Sequence, residues 1–152
     1  MSRRFTRGAL AAATLTVALA TLAAPALAAP GSAQAHVFMV NPVQSSGDQS
    51  LTDAKDSATA VPSSQYATAA LRNLDGGGGL SGKWAQVRSE TGAPAQVADA
   101  GTYTRHDDQF EQVMAYFWGN EAQEYLQSLG FGTELPGAND RAQPVRINQW
   151  GA

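Results

Sequence analysis

The chain has 152 residues, with thirteen acidic side chains, ten basic ones and no cysteine. The lack of cysteine excludes disulfides, a thiol nucleophile and any cysteine-ligated metal site. The acidic balance argues against a nucleic-acid partner or an anionic membrane surface, and the length allows one modest core.

The first 35 residues have the three-part organisation of a secretory signal peptide. Three arginines lie within the first seven residues, and residues 8–22 are almost all Ala, Leu, Val and Thr. Two A-x-A motifs follow, so we expect cleavage after Ala28 or Ala35. The apolar run is too short and too rich in Ala to favour a stable membrane span. We therefore expect a secreted, extracellular protein with no membrane contact after cleavage and a net charge of about −6, from seven basic and thirteen acidic side chains.

One strand and a long loop are predicted to open the exported part. The apolar run at residues 36–40 stops at Asn41-Pro42, which is typical of a strand ended by turn residues. Residues 44–65 are rich in Ser, Asp, Thr and Gln, which predicts a loop with one helical turn around residues 53–58.

A glycine-rich turn separates the next two predicted elements. Residues 66–74 fit either a strand or a short helix, and the four glycines within residues 75–79 predict a turn. The glycines lack the following Gly-Lys-Ser/Thr of a phosphate-binding loop. A strand ending at Ser89 and a turn at residues 91–94 are predicted to follow.

The strongest helical pattern covers residues 108–129. Asp107 or Asp108 is expected to cap its start, with Glu111 completing a capping box, and Gly130 is expected to end it. Its apolar residues recur at helical spacing and predict one broad core-facing side: Phe110, Val113, Met114, Phe117, Trp118, Ala122, Tyr125, Leu126 and Leu129.

Two features of this helix need an explanation beyond simple core packing. Gly119 is costly inside a helix, and we expect it to allow close approach of another backbone. The exported chain has few large residues to cover so wide an apolar face, so we expect possible self-association through the helix at residues 108–129.

Alternating residues 144–150 predict a last strand, and the whole pattern predicts an α+β fold of short strands, long loops and one long helix. We expect one incomplete domain over residues 36–152, because the last strand has no closing element after it.

The chemistry-bearing residues do not form a recognisable catalytic set. His36 and His106 are the only imidazoles, and they lack the i, i+4 spacing of a helical zinc site. A nucleophile motif of the Gly-x-Ser-x-Gly type is also missing.

Two groups of acidic residues allow either a cation site or a purely structural role. His106, Asp107 and Asp108 fit a cation site or a helix cap, and the cap is favoured. Asp48, Asp53 and Asp56 fit a calcium site or a polar loop, and the loop is favoured. We assign no catalytic, cofactor-binding or metal residue in this chain.

Several segments resemble the part of secreted bacterial zinc metallopeptidases, of the fungalysin and thermolysin-like kind, that precedes the catalytic motif. The most specific are YTRHDDQFEQVMAY at residues 103–116, AQEYLQSLGF at 122–131 and VRINQ at 145–149. Weaker matches are NPV at 41–43, LTD at 51–53, NLDG at 73–76 and LSG at 80–82.

The resemblance implies the N-terminal lobe of a peptide-bond hydrolase acting on protein or peptide substrates once completed. In that family an H-E-x-x-H helix and a further Glu hold zinc, and calcium is a second candidate ion for full-length members; none of those zinc ligands is in this sequence. The chain is therefore expected to be inactive alone. The alternatives are a stand-alone secreted binding or inhibitor module, or a structural cell-surface protein.

Overall fold

The computed structural model describes residues 33–52, 54–137 and 140–149, so the predicted leader lies almost wholly outside the described residues. Short strands and one long helix confirm an α+β fold. Within these residues no helix combines the length and apolar character needed to cross a membrane. The α-helices and strands in chain order are β1 (Ala33–Val37), α1 (Pro42–Ser46), β2 (Ala67–Leu71), β3 (Ala85–Ser89), α2 (Asp108–Ser128) and β4 (Gln143–Ile147). Single 3₁₀ turns lie at Ser63–Gln65 and Val97–Asp99.

The strands form two small sheets. β1 and β2 pair antiparallel, with Ala33 opposite Leu71, whereas β3 and β4 pair parallel. Gln143 donates its backbone N–H to the Trp84 carbonyl. The backbone N–H and carbonyl groups of every second residue of β4, counted from Gln143, therefore point toward β3. Pro144 consequently faces away from β3, where its missing N–H removes no ladder hydrogen bond.

The core lies where α2 packs on both sheets. Val113, Tyr116 and Phe117 of α2 join one buried cluster with residues of β1, β2 and β3. At the start of the helix, the ring of Phe110 packs edge-on against Phe38 at 4.8 Å between centroids. The other buried members of the cluster are Ala35, Val37, Leu71, Leu80, Ala85, Ala95 and Ala100.

The first strand lies three residues upstream of its predicted position. The strand ends at Val37, and the next backbone N–H, that of Phe38, donates to the Met114 sulfur at 3.2 Å. The Phe38 ring then packs on Tyr66 with 4.9 Å between centroids. Of the apolar residues after Val37, Phe38 therefore serves side-chain packing whereas Met39 and Val40 are about half exposed. The strand is built largely from small residues with weak strand preference.

The polar loop contains a helical turn at a different place from the predicted one. Residues 54–58 are not helical, and Asp53 lies outside the described residues. The α-helical turn is α1, at the start of the loop, where Asn41 accepts a hydrogen bond from the Val43 N–H at 2.8 Å and proline occupies the first helical position. Both features are standard helix-start signals, which outweigh the polar composition around residue 53. A 3₁₀ turn at Ser63–Gln65 lies near the end of the loop.

The remaining elements are close to expectation. Residues 66–74 contain a strand, β2, so the helical alternative is wrong; the turn at residues 75–79 and a strand ending at Ser89 are confirmed. The last strand begins one residue early and ends at Ile147, and Trp150 lies outside the described residues.

The bounds of the long helix are confirmed to within one residue, but its predicted capping box is wrong. Asp108 is the first helical residue and Asp107 is the capping position. The Asp107 carboxylate accepts from the N–H and hydroxyl of Thr104, at 2.8 and 3.0 Å, and so braces the preceding turn. Gly130 ends the helix with a positive φ of 89°, as expected of a helix-terminating glycine.

Candidate functional site

The buried side of α2 differs from the side predicted to face the core. Of the apolar residues predicted to face the core, only Phe110, Val113 and Phe117 are buried; Trp118, Tyr125 and Leu129 are 43%, 63% and 49% exposed. At 3.6 residues per turn, these three exposed residues lie on the side of the helix opposite the buried one. The prediction that all nine apolar residues of this helix face the core is therefore wrong for the C-terminal half of the helix. The helix instead buries four polar-tipped side chains: Gln112, Tyr116, Asn120 and Gln123.

Gln112 holds the turn that follows β3. Its side-chain oxygen accepts from the Ala95 N–H at 2.9 Å, and its side-chain nitrogen donates to the Ala93 carbonyl at 3.0 Å. Gln112 and Ala95 are both 2% exposed. An amide that pairs with both kinds of backbone group is stable in such a dry position, because neither partner is left without a hydrogen bond.

Asn73 links the glycine-rich turn to the same helix. It has a positive φ of 61°, and its side-chain nitrogen donates to Asn120 Oδ1 and to Glu124 Oε1, both at 2.9 Å. Trp84 adds a hydrogen bond from its indole nitrogen to the same Glu124 oxygen at 2.6 Å. The β2–β3 connection is thus fixed on α2 through polar groups.

Tyr116 completes this polar contact. Its hydroxyl donates to the Arg72 carbonyl at 2.9 Å, and burial, with a smaller contribution from Asp75, raises the pKa of Tyr116 to about 12. Gly82 lies directly against it: a Cβ at this position would collide with the Asn73 carbonyl oxygen and the Tyr116 hydroxyl. Glycine is therefore required at position 82 for space.

Opposite this buried side lies an exposed surface that we call the apolar face. The segment after β1 reaches the helix there, because the Trp118 indole nitrogen donates to the Phe38 carbonyl at 3.3 Å. Exposed apolar groups that adjoin one another in this way tend to associate or to be covered. The apolar face consists of Met39, Val40, Trp118, Ala122, Tyr125 and Leu129.

The apolar face carries no charge of its own. The two acidic residues in the second half of α2 are both engaged: Glu121 pairs with Arg72 at 2.5 Å, and Glu124 accepts from Asn73 and Trp84. An acidic protein is held apart from other acidic surfaces by like-charge repulsion. That repulsion is weakened where carboxylates are paired, as those of Glu121 and Glu124 are.

A second candidate site is an open depression of about 660 Å³ beside the polar loop. It brings together three residues singled out from the sequence, Asp48, Asp56 and His106. The His106 Nδ1–H donates to the Asp56 backbone carbonyl at 2.5 Å, and the same nitrogen lies 3.9 Å from the Asp56 carboxylate. Asp48 accepts from the N–H and hydroxyl of Ser50, which lowers the pKa of Asp48.

Among the described residues, which do not include Asp53, the depression does not bring together a set of metal ligands. Asp107 turns to Thr104, and His36 lies in a different cavity, where its Nδ1–H donates to the Tyr103 carbonyl at 3.1 Å. Within residues 33–52, 54–137 and 140–149, no three His, Cys, Asp or Glu side chains are grouped so that they could hold a metal ion. We therefore regard the depression as the space left where the polar loop is held against the residues that precede α2.

Comparison of the chain with protein-family models, with curated proteins and with solved structures finds no match in any of the three.

Proposed function

We propose that this chain is the exported N-terminal lobe of a zinc metalloendopeptidase-like protein, and that it acts as a docking scaffold without a zinc centre of its own. The observation that carries the proposal is the apolar face, which stays half exposed on a helix whose other side is buried against the two sheets. The sequence resemblance supports the metallopeptidase class, because its most specific segment includes most of this helix.

The donor set in the described residues does not fit zinc. His36 and His106 are the only imidazoles of the chain, they line different cavities, and each uses Nδ1 to donate to a backbone carbonyl. A catalytic zinc site takes three protein ligands around one open position. No catalytic step is therefore derived for this chain.

In the isolated chain, the apolar face is proposed to pair with the same face of a second copy. A two-fold contact places the same patch on both partners, so an uncharged patch brings no like charges together. The six side chains of the face are few compared with the roughly 20 to 30 residues a side of a stable interface. Self-association should therefore be weak, with a Kd on the order of 10 to 100 µM.

The absence of a zinc centre has a direct test. The leader-free protein is dialysed, its zinc is measured, and casein hydrolysis is followed with and without a chelator. The proposal expects neither stoichiometric zinc nor hydrolysis. Chelator-sensitive proteolysis by the pure chain would overturn it.

The docking role is tested by light scattering across a concentration series. The double variant Tyr125→Gln/Leu129→Gln should stay monomeric where the parent associates, and its thermal unfolding should match the parent's because both side chains are exposed, at 63% and 49%. Leu135→Gln is the matched control, since Leu135 is 45% exposed but lies outside the apolar face. Association that is unchanged in the double variant would contradict the proposal.

The second candidate function is a stand-alone secreted binding or inhibitor module. It is favoured by the hydrogen-bonded Gln112 and Asn73 contacts, which give the chain a core held by its own loops. A monodisperse monomer with a sharp unfolding transition above about 60 °C would favour this module over the lobe.

A further inference from the structure

The two A-x-A motifs of the leader stand in different relations to the fold. The second motif, Ala33-Gln34-Ala35, forms the first three residues of β1. Ala35 is fully buried within the hydrophobic cluster. The first motif, which ends at Ala28, lies upstream of the described residues.

Cleavage after Ala35 would remove most of the first sheet. Of the five residue pairs that join β1 to β2, those of Ala33, Gln34 and Ala35 would be lost. Leu71 is paired with Ala33 and is fully buried, so the loss of Ala33 would expose Leu71 on that side. A two-stranded sheet with two remaining pairs has little stability in water.

Cleavage after Ala35 would also place a charge in the fold. The backbone N–H of His36 donates to the Ala100 carbonyl at 3.0 Å, and Ala100 is fully buried. The new terminus would be an α-amino group, which is mostly protonated at neutral pH. Bringing that charge into a partly dry contact costs free energy that an N–H does not.

We infer that the leader is removed by hydrolysis of the Ala28–Ala29 peptide bond, an inference that rests on the proposed export. A leader peptidase supplies the catalysis; water adds across the bond, leaving a carboxylate on Ala28 and an amine on Ala29. Residues 29–32 then precede an intact β1. Ala28 also lies six residues beyond the apolar run that ends at Leu22, whereas Ala35 lies thirteen beyond it.

The intact mass of the exported protein tests the site directly. A mass that begins at Ala29 supports the inference, and a mass that begins at His36 overturns it. Intact Met1 in the membrane fraction would overturn the export proposal itself, and so separates the two failures. Ala28→Leu should accumulate precursor, because a large residue replaces the small one at the cut, whereas Ala33→Leu should not.

A second measurement tests the structural reason without depending on export. Two proteins are made without a leader, one beginning at Ala29 and one at His36, and their thermal unfolding is compared. The shorter protein should unfold at least about 10 °C lower, or without a cooperative transition. Equal unfolding temperatures would overturn the inference, because β1 residues 33–35 would then not be needed by the fold.

Discussion

Replacing Gln112 by leucine tests whether the buried polar side of α2 stabilises the fold. The change keeps a side chain of similar size at a position that is 2% exposed, but removes the acceptor of the Ala95 N–H and one donor to the Ala93 carbonyl. The Ala93 carbonyl still accepts from the Gln109 side chain at 3.2 Å. The main damage is therefore one buried N–H group without a partner.

The magnitude follows from that single loss. An unsatisfied buried backbone donor costs about 1 to 3 kcal/mol. Leucine recovers part of this through apolar burial, so we expect a net destabilisation of about 1 kcal/mol. For a domain of this size, that corresponds to an unfolding temperature lowered by about 4 °C.

The assay is thermal and urea unfolding of the protein made without residues 1–28, followed by circular dichroism. Gln109→Leu is the matched control, because Gln109 donates to the same Ala93 carbonyl from a less buried position and Gln112 remains in place. The control should change the free energy of unfolding by less than about 0.5 kcal/mol. If Gln112→Leu is as stable as the parent, the Gln112 hydrogen bonds do not hold the fold, and the reasoning is refuted.

Three further perturbations address the same helix. Phe117→Ala should cost about 3 to 5 kcal/mol and remove most of the cooperativity of thermal unfolding, because Phe117 is 5% exposed in the core. Gly119→Ala should raise the free energy of unfolding by up to about 1 kcal/mol in a urea titration, since the new Cβ would lie 3.8 Å from Ala85 Cβ, an ordinary contact. The raised pKa of Tyr116 should make stability fall between about pH 10, where the unfolded tyrosine ionises, and about pH 12, and Tyr116→Phe should flatten that fall.

The limits of the long helix could be predicted from sequence, but its buried side could not. Its start and end depend on local signals such as Gly130, and these are visible in the chain. Its orientation depends on distant partners: Gln112 and Asn120 are buried because loop groups at residues 73 and 93–95 pair with them. The sequence signal that could have indicated the buried side is a polar stripe with spacings of four, four and three residues: Gln112, Tyr116, Asn120 and Gln123.

The expectation for Gly119 illustrates the same limit. The close neighbour of Gly119 is the Ala85 side chain, at a distance that leaves room for a methyl group, so the expected close approach of another backbone is wrong. The position that does require glycine is Gly82, whose neighbours come from β2–β3 and α2 together. Steric need of this kind depends on tertiary packing, which the local sequence does not specify.

The candidate depression shows what sequence proximity alone leaves open. His106 and Asp56 are fifty residues apart and meet because the polar loop folds back to the helix start. Asp107, which adjoins His106 in sequence, turns instead to Thr104. Neighbouring acids and histidines in a sequence therefore do not define a shared site. Local sequence is ambiguous in β1 as well, where the small residues match both a strand and a cleavage motif.

The central claim is that the chain exposes an uncharged apolar face through which it associates with a second copy. Sedimentation velocity tests this claim most directly. The protein made to begin at Ala29 is compared with its Tyr125→Gln/Leu129→Gln variant over roughly 5 to 500 µM, a range that spans the expected Kd. We predict reversible association of the parent with rising concentration and a monomeric variant that unfolds at the same temperature. A parent that remains a monodisperse monomer throughout, with a sharp unfolding transition above about 60 °C, would contradict the claim.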